Sequence, residues 1–151
     1  MTAIEQKQIE AVRQLYGEVL NQQRIELLQA LLSDDVVFHS FTDERGLNAY
    51  KGLVERLRVS FPDLHFTLQD VIASNDRVIV RWTMHATHGG PLGNIPATGK
   101  PIEQKAIVIY RFENGKIAEG WAQMDRLGVL QQVGAAPAVG ARPGAPEPVA
   151  R

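Results

Sequence analysis

The spacing of apolar residues changes at Pro62, and this change constrains the fold more than any other feature of the sequence. Before Pro62, apolar residues recur every three to four positions, as in the run from 47 to 61, which is typical of an amphipathic helix. After Pro62 the period is two, because Phe66, Leu68 and Ile72 alternate with polar residues. Helices followed by a run of strands predict an α+β fold.

Three helices and one short strand are predicted in the first part of the chain. The first helix begins with a capping box formed by Thr2 and Glu5, and a second apolar stripe spans residues 25–32. The segment "VVFHSF" at 36–41 is rich in β-forming residues and predicts a strand. The third helix covers 47–61 and ends at Pro62.

The second part of the chain predicts an antiparallel meander. Its strands are expected from 66 to 72, at "RVIVRWTMHATH" (77–88), at "KAIVIYRF" (105–112) and at "KIAEGWAQM" (116–124). A Gly/Pro-rich loop covers 89–101, Asn114-Gly115 forms a hairpin turn, and a final helical turn covers 127–133. The order is therefore α-α-β-α-β-β-β-β. Three helices across one face of a curved, mostly antiparallel sheet would enclose a cone with an apolar inner wall, which suits a small molecule.

Alternation along 77–88 predicts which residues face the helices. The apolar set, expected to line the cone, is Val78, Val80, Trp82, Met84, Ala86 and His88. The other set is amphipathic and suits solvent or a subunit contact; it includes Ile79, Arg81, Thr83 and His85.

Composition excludes several classes of function. The chain has 151 residues, a formal net charge of −1 and no cysteine, which excludes disulfides, thiol nucleophiles and cysteine metal sites. The absence of a basic excess argues against nucleic-acid or anionic-membrane partners. No apolar run is long enough to span a membrane. Charged residues at 5, 7 and 10 interrupt any signal segment, so we expect a cytoplasmic protein.

The chain is expected to form one domain, residues 1–134. The remainder, 135–151, is rich in Pro, Ala and Gly and is predicted to be a disordered tail. There is no nucleophile elbow, P-loop or dinucleotide-binding glycine motif, so hydrolysis by a serine nucleophile, ATP use and dinucleotide binding are unsupported.

Asp125 is the main candidate for a catalytic residue, and it has two interpretations. It precedes an apolar helical stretch, where Asp is a favoured N-cap. A carboxylate at the end of an apolar cone would instead lose solvation and become a better proton acceptor. Glu119 and Trp121 share its strand face by alternation. Either a bulge at Gly120 turns Glu119 outward, or Glu119 pairs with Arg111 or Arg81.

His39, in an apolar strand, is a second catalytic candidate, although a structural histidine bonded to backbone is equally compatible with the pattern. The candidates for substrate contact, each of which could also be simple core, are Tyr16, Trp82, Met84, His88, Tyr110 and Trp121. His85 and His88 lie three residues apart on one strand and so point to opposite faces, and we expect no metal site.

Four stretches of the chain are distinctive: "FPDL" at 61–64, "DRVIVRWTMHATHGG" at 76–90, "PATGKPI" at 96–102 and "YRFENGKIAEGWAQMDRLGVLQQVG" at 110–134. Together they resemble the SnoaL-like polyketide cyclase family of the NTF2-like superfamily, over roughly residues 5 to 134. The resemblance implies a cofactor-free intramolecular aldol ring closure on an aromatic polyketide ester, with Asp125 as general acid/base. The chain departs from the family at "HATHGG", where many members have a Gly before Thr-His, and at Tyr110-Arg111, where a His is often found.

Two alternatives to ring closure stay open at this point. One keeps the pocket for a small apolar or aromatic substrate but changes the reaction to isomerisation, dehydration or epoxide opening. The other is a non-catalytic ligand-binding or dimerisation domain in which Asp125 only caps a helix. A carboxylate facing an enclosed cavity would favour catalysis, and one bonded only to the amides of residues 127 or 128 would favour the cap. We also expect a homodimer through the outer face of the sheet, as the resemblance implies.

Overall fold

Four α-helices and six strands make up the computed structural model, which describes residues 1–137. The first helix, α1 (Ala3–Gln14), starts at the expected capping box: the backbone N–H of Glu5 donates to Thr2 Oγ1 (3.1 Å), and that of Thr2 donates to Glu5 Oε1 (2.9 Å). It continues as a π-helical segment, Leu15–Asn21. The third predicted helix is α3 (Leu47–Ser60). None of the helices in this part of the chain is long and apolar enough to cross a membrane.

The second predicted helix is shorter than the apolar stripe suggested. A 3₁₀ turn (Ile25–Leu27) leads into one α-helical turn, α2 (Leu28–Leu31), and Leu32 already begins a strand. The reason is pairing: Leu32 lies beside Ile117 in a parallel ladder, and both side chains are buried there.

The strands form one curved sheet in the order β2-β1-β6-β5-β4-β3. Their bounds are β1 (Leu32–His39), β2 (Asp43–Arg45), β3 (His65–Ser74), β4 (Arg77–Thr87), β5 (Pro101–Glu113) and β6 (Lys116–Met124). All neighbours are antiparallel except β1 and β6, which are parallel. The α+β arrangement with a mostly antiparallel sheet is confirmed. The sequence did not predict β2.

One side of the sheet, here called the inner face, is covered by helices. On β4 it comprises Val78, Val80, Trp82, Met84 and Ala86, and on β5 it comprises Ile102, Gln104, Ala106, Val108, Tyr110 and Phe112. These side chains form the core together with α1, its π-helical continuation and α3. We call the space between the helices and the inner face the interior, and the opposite side of the sheet the outer face.

A last helix, α4 (Arg126–Gln132), follows β6 directly and confirms the predicted helical turn at 127–133. Its end is tied to the next residues, because the backbone N–H groups of Ala135 and Ala136 donate to the carbonyl of Leu130 (2.8 and 3.2 Å). Most of the predicted disordered tail, residues 138–151, lies outside the described residues.

Candidate active site

Three of the predicted substrate-contact residues meet in a hydrogen-bonded cluster in the interior. Trp82 Nε1–H donates to the Tyr16 hydroxyl (3.0 Å), and the hydroxyls of Tyr16 and Tyr110 are 2.5 Å apart. All three side chains are buried. Burial raises the pKa of Tyr16 and of Tyr110 well above the ordinary value, so both phenols stay protonated. The cluster can therefore donate and accept hydrogen bonds, but its phenols are poor bases.

Aromatic rings fill the space around this cluster. Phe66 packs edge-on against Trp82 (4.8 Å between centroids) and against Tyr16 (5.3 Å), and Met84 beside them is fully buried. Two surface depressions are present. One, of about 270 Å³, is bordered by Arg81, Trp82, Lys105 and Ile107, and the other, of about 450 Å³, lies at the start of α3. The residues expected to line a pocket are thus brought together, but they are packed against one another.

At one end of the inner face, β4 and β6 finish and β5 begins. There Ala86 and Gln104 each keep 8% of their surface exposed, whereas Val80 and Met84, deeper in the sheet, keep none. Gln104 places a primary amide on the mostly apolar inner face. Gln104 was not among the predicted site residues, although its position between Ile102 and Ala106 in an alternating strand was a usable signal.

Asp125 directly follows β6 at this end, and its backbone N–H donates to the carbonyl of Lys105, the residue after Gln104 (2.9 Å). Its carboxylate is exposed, and Oδ1 accepts a hydrogen bond from the backbone N–H of Gly128 (2.8 Å) as the N-cap of α4. Gly128 has no side chain, which leaves room for the carboxylate to fold over it. Asp125 therefore does not face an enclosed cavity, and the contact seen is the one that the cap interpretation predicts.

His88 occupies the inner face at the same end of β4 and is completely buried. Its Nδ1 accepts a hydrogen bond from the backbone N–H of Thr98 (3.3 Å) and lies 2.9 Å from Thr98 Oγ1. His85, three residues earlier, is exposed on the opposite face, as strand alternation requires. Residues 1–137 contain no group of three or more His, Asp or Glu side chains placed to share a metal ion.

His39 and Trp121 do not reach the interior, which corrects the expectation that they line the cone. Their rings stack on the outer face, with centroids 5.7 Å apart and planes at 18°. The guanidinium of Arg77 lies over the indole ring of Trp121, 5.3 Å from the ring centroid. On β1 and β6, the neighbouring residues Phe38 and Gly120 occupy the inner face instead.

A β-bulge explains why Trp121 faces outward. In the ladder between β5 and β6, Phe112 pairs with Ile117 but Arg111 pairs with Glu119, so one extra residue is inserted. The insertion reverses the alternation that follows Ile117, and it turns Glu119 to the outer face. There Glu119 bonds Arg111 (3.4 Å), so both sequence alternatives hold, with the bulge at Ala118 rather than at Gly120.

The outer-face histidine is bonded to carboxylates rather than to backbone. His39 Nε2 lies 2.7 Å from Glu119 Oε2, and Nδ1 lies 2.9 Å from Asp43 Oδ1. The hydrogen bond with Glu119, followed by the one with Asp43, raises the pKa of His39. The same bond with His39, with help from Arg111, lowers the pKa of Glu119. This cluster is a partly exposed ion-pair network on the outer face, the side of the sheet opposite the inner-face aromatic rings.

A curved six-stranded sheet with helices over its inner face defines an NTF2-like α+β domain, and solved structures of this class superpose on it. A candidate SnoaL-like polyketide cyclase from Jannaschia sp. CCS1 aligns with a TM-score of 0.83 at 21% identity, over 91% of this chain and 98% of that one. IdmH, a candidate polyketide cyclase from Streptomyces antibioticus, aligns with a TM-score of 0.75 at 28% identity, over 84% of this chain and 98% of that one. AclR, a candidate hydroxylase from Streptomyces galilaeus, aligns with a TM-score of 0.80 at 25% identity, over 89% of each chain.

The sequence profile of the SnoaL-like polyketide cyclase family matches residues 10–133. The chain therefore belongs to the SnoaL-like polyketide cyclase family. A search of curated protein sequences finds no match.

Proposed function

We propose that this protein is a small-molecule enzyme that closes a ring in a polyketide-like ester, with Asp125 as the general acid/base. The observation that carries the proposal is the position of Asp125 directly after β6, at the end of the aromatic-lined inner face where Ala86 and Gln104 keep some exposed surface. Family membership supports the same reaction class. A flat apolar or aromatic substrate is expected to enter at this end.

The proposed reaction needs only one proton-transfer group. Asp125 removes a proton from a carbon flanked by two carbonyls, and the resulting enolate carbon attacks a ketone carbon of the same molecule. One C–C bond forms, the ketone π bond breaks, and the new alkoxide takes the proton back from Asp125. The Gly128 amide occupies Oδ1 and fixes the orientation of the carboxylate, so Oδ2 is the oxygen assigned to the proton. A substrate lying across this end would remove the carboxylate from water and increase its basicity.

A second candidate function is favoured by one specific contact. An exposed carboxylate bonded to the first turn of a helix is a sufficient N-cap without any chemistry. In that case the domain binds a ligand or a second copy of itself and does not catalyse a reaction. The candidate hydroxylase AclR, with the same fold, shows that the fold alone does not select between reactions.

Paired measurements on Asp125→Asn and Asp125→Ala test the proposal. Asn caps a helix about as well as Asp but cannot transfer the proton, so turnover of a polyketide β-ketoester analogue should fall by roughly 10²–10⁴-fold. The melting temperature of Asp125→Asn should change little, whereas Asp125→Ala should lose about 1 kcal/mol of stability. Asp35→Asn, which alters an exposed carboxylate on β1, is the matched control and should keep full activity. Activity of Asp125→Asn within a few-fold of wild type would favour the cap-only alternative.

A further inference from the structure

His88 holds a buried hydrogen-bond donor that nothing in the described chain uses. The side chain has no exposed surface, and its Nε2 has no hydrogen-bond partner among residues 1–137. The Phe61 ring lies beside the imidazole, with centroids 6.0 Å apart and planes at 49°, which is an aromatic packing contact. A buried polar group without a partner destabilises a fold, so such groups are uncommon unless they serve a ligand or an internal water.

The hydrogen bonds at Nδ1 determine which of the two ring nitrogens of His88 carries the proton. The backbone N–H of Thr98 donates to Nδ1 (3.3 Å), so Nδ1 is an acceptor. The Thr98 hydroxyl already accepts from the backbone N–H of Lys100 (3.3 Å), which leaves its own hydrogen free for Nδ1. With two donors on Nδ1, the neutral imidazole carries its hydrogen on Nε2. The unpartnered atom is therefore an N–H donor.

The position of this donor suits a ligand in the interior. His88 follows Met84 and Ala86 on the inner-face side of the chain, and two backbone bonds hold it to the start of β5: its N–H donates to the Lys100 carbonyl and its carbonyl accepts from the Gly99 N–H (2.9 Å each). Ala86 beside it has a small side chain and keeps some exposed surface. A ligand lying over Ala86 would bring an acceptor atom close to the imidazole.

We propose that His88 Nε2–H donates a hydrogen bond to a carbonyl or enolate oxygen of the ligand that occupies the interior. The inference rests on the proposed function only in assuming that a small aromatic carbonyl compound binds there. It does not depend on turnover or on Asp125. The donor would orient the ligand and favour the enolate form, because hydrogen bonds to a developing negative charge are stronger than those to a neutral carbonyl.

Two substitutions separate this role from simple anchoring of the 89–100 loop. In His88→Asn, the amide oxygen can replace Nδ1 as the acceptor for Thr98, but the Nε2 donor is lost. In His88→Gln, the amide nitrogen can replace the Nε2 donor, but the contact with Thr98 is weakened. His85→Asn, on the exposed side of the same strand, is the matched control.

The probes are 2-acetylnaphthalene and 2-ethylnaphthalene, which differ by one carbonyl oxygen, and the readout is the ratio of their dissociation constants by calorimetry. Relative to wild type, the preference for the ketone should fall by about 2- to 10-fold in His88→Asn, the range expected for one hydrogen bond. It should stay within 2-fold in His88→Gln and in His85→Asn. An unchanged preference in His88→Asn, a loss confined to His88→Gln, or no saturable binding of the ketone by wild type would each overturn the inference.

A measurement on the wild-type protein covers the case in which a variant fails to fold. Nitrogen-15 NMR of the histidine rings should show His88 protonated at Nε2, and the ketone should shift that N–H resonance more than the ethyl compound does. A proton on Nδ1, or equal shifts with both probes, would contradict the proposal. Absence of turnover with intact ketone preference would instead reject the proposed reaction and leave the His88 assignment standing.

Discussion

At the scale of single residues, the protonation of His39 is linked to that of Glu119. The hydrogen bond between them raises the pKa of His39 and lowers that of Glu119. The His39 contribution to stability is fully present below its unfolded pKa of about 6.5 and is lost as the pH rises through the raised folded pKa. The Glu119 contribution is present above its unfolded pKa of about 4.3 and is lost as the pH falls through the lowered folded pKa. The His39–Glu119 pair therefore stabilises the folded state most between a pH of about 4.3 and a pH of about 6.5.

Substitution of Glu119 by Gln should move the pKa of His39 back toward the ordinary value, as measured by NMR titration of the ring. Asp43→Asn should do the same to a smaller extent, because its bond is the lesser cause of the shift. His39→Gln should leave turnover unchanged, since the ring lies on the outer face with Trp121. A titration of His39 that is identical in wild type and in Glu119→Gln would contradict the assignment, and so would a large loss of turnover in His39→Gln.

Alternation along β4 predicted the position of His88 from sequence, but it could not predict the chemical state of that side chain. Its tautomer depends on Thr98, ten residues later and across a loop. The cap role of Asp125 was one of two sequence interpretations; the position of its carboxylate relative to Gly128 shows that the cap bond forms, and the paired Asp125 variants test whether the same carboxylate transfers a proton. Residue identity thus predicts what a side chain can do, and tertiary contacts decide which of these options is available.

At the scale of elements, Gly120 is a position where β6 packs so closely against the core that no side chain fits. A Cβ added there would lie 2.8 Å from Phe38 Cδ2 and 3.2 Å from Tyr110 Cδ1. Gly120→Ala should therefore force these rings apart and destabilise the fold by about 1–3 kcal/mol in urea unfolding, the usual cost of overpacking. Gly17→Ala is the control, because a Cβ there meets nothing within 4 Å, and its stability should be unchanged or slightly higher. Equal stabilities of the two variants would show that the Phe38 and Tyr110 rings adjust without cost.

The change of period at Pro62 was sufficient to predict where helices give way to strands, because each element has one apolar face. The face presented by β6 was not predictable in the same way. Strict alternation from Ile117 would turn Trp121 inward, and the single inserted residue before Glu119 reverses it. The edge strand β2 was missed since its three residues, Asp43–Arg45, are polar and largely exposed, so they carry no apolar signal. Pairing between distant segments, such as β1 with β6, leaves no local pattern.

At the scale of the whole molecule, the outer face of the sheet has the mixed character of a subunit contact. Ile107, near its centre, keeps 52% of its surface exposed, and it pairs with Arg81 on one side and Gln123 on the other. The depression of about 270 Å³ lies around these residues. Trp121 and His39 extend the surface toward the edge of the sheet with half-buried rings. This combination of exposed aliphatic, aromatic and cationic groups resembles known interfaces more than a solvated sheet.

We therefore expect a homodimer formed by two outer faces, with a mass by light scattering of about twice the 16.7 kDa of the chain. Ile107→Glu should convert it to a monomer without loss of secondary structure, because the dimer would bury an unpaired carboxylate at its centre. Ile4→Glu introduces the same charge at an exposed isoleucine of α1, on a helix rather than on the sheet, and should leave the dimer intact. A wild-type mass near 17 kDa at micromolar concentration would contradict this expectation. Dissociation by Ile4→Glu alone would place the contact on the helices, because the two variants carry identical charges and differ only in the surface that receives them.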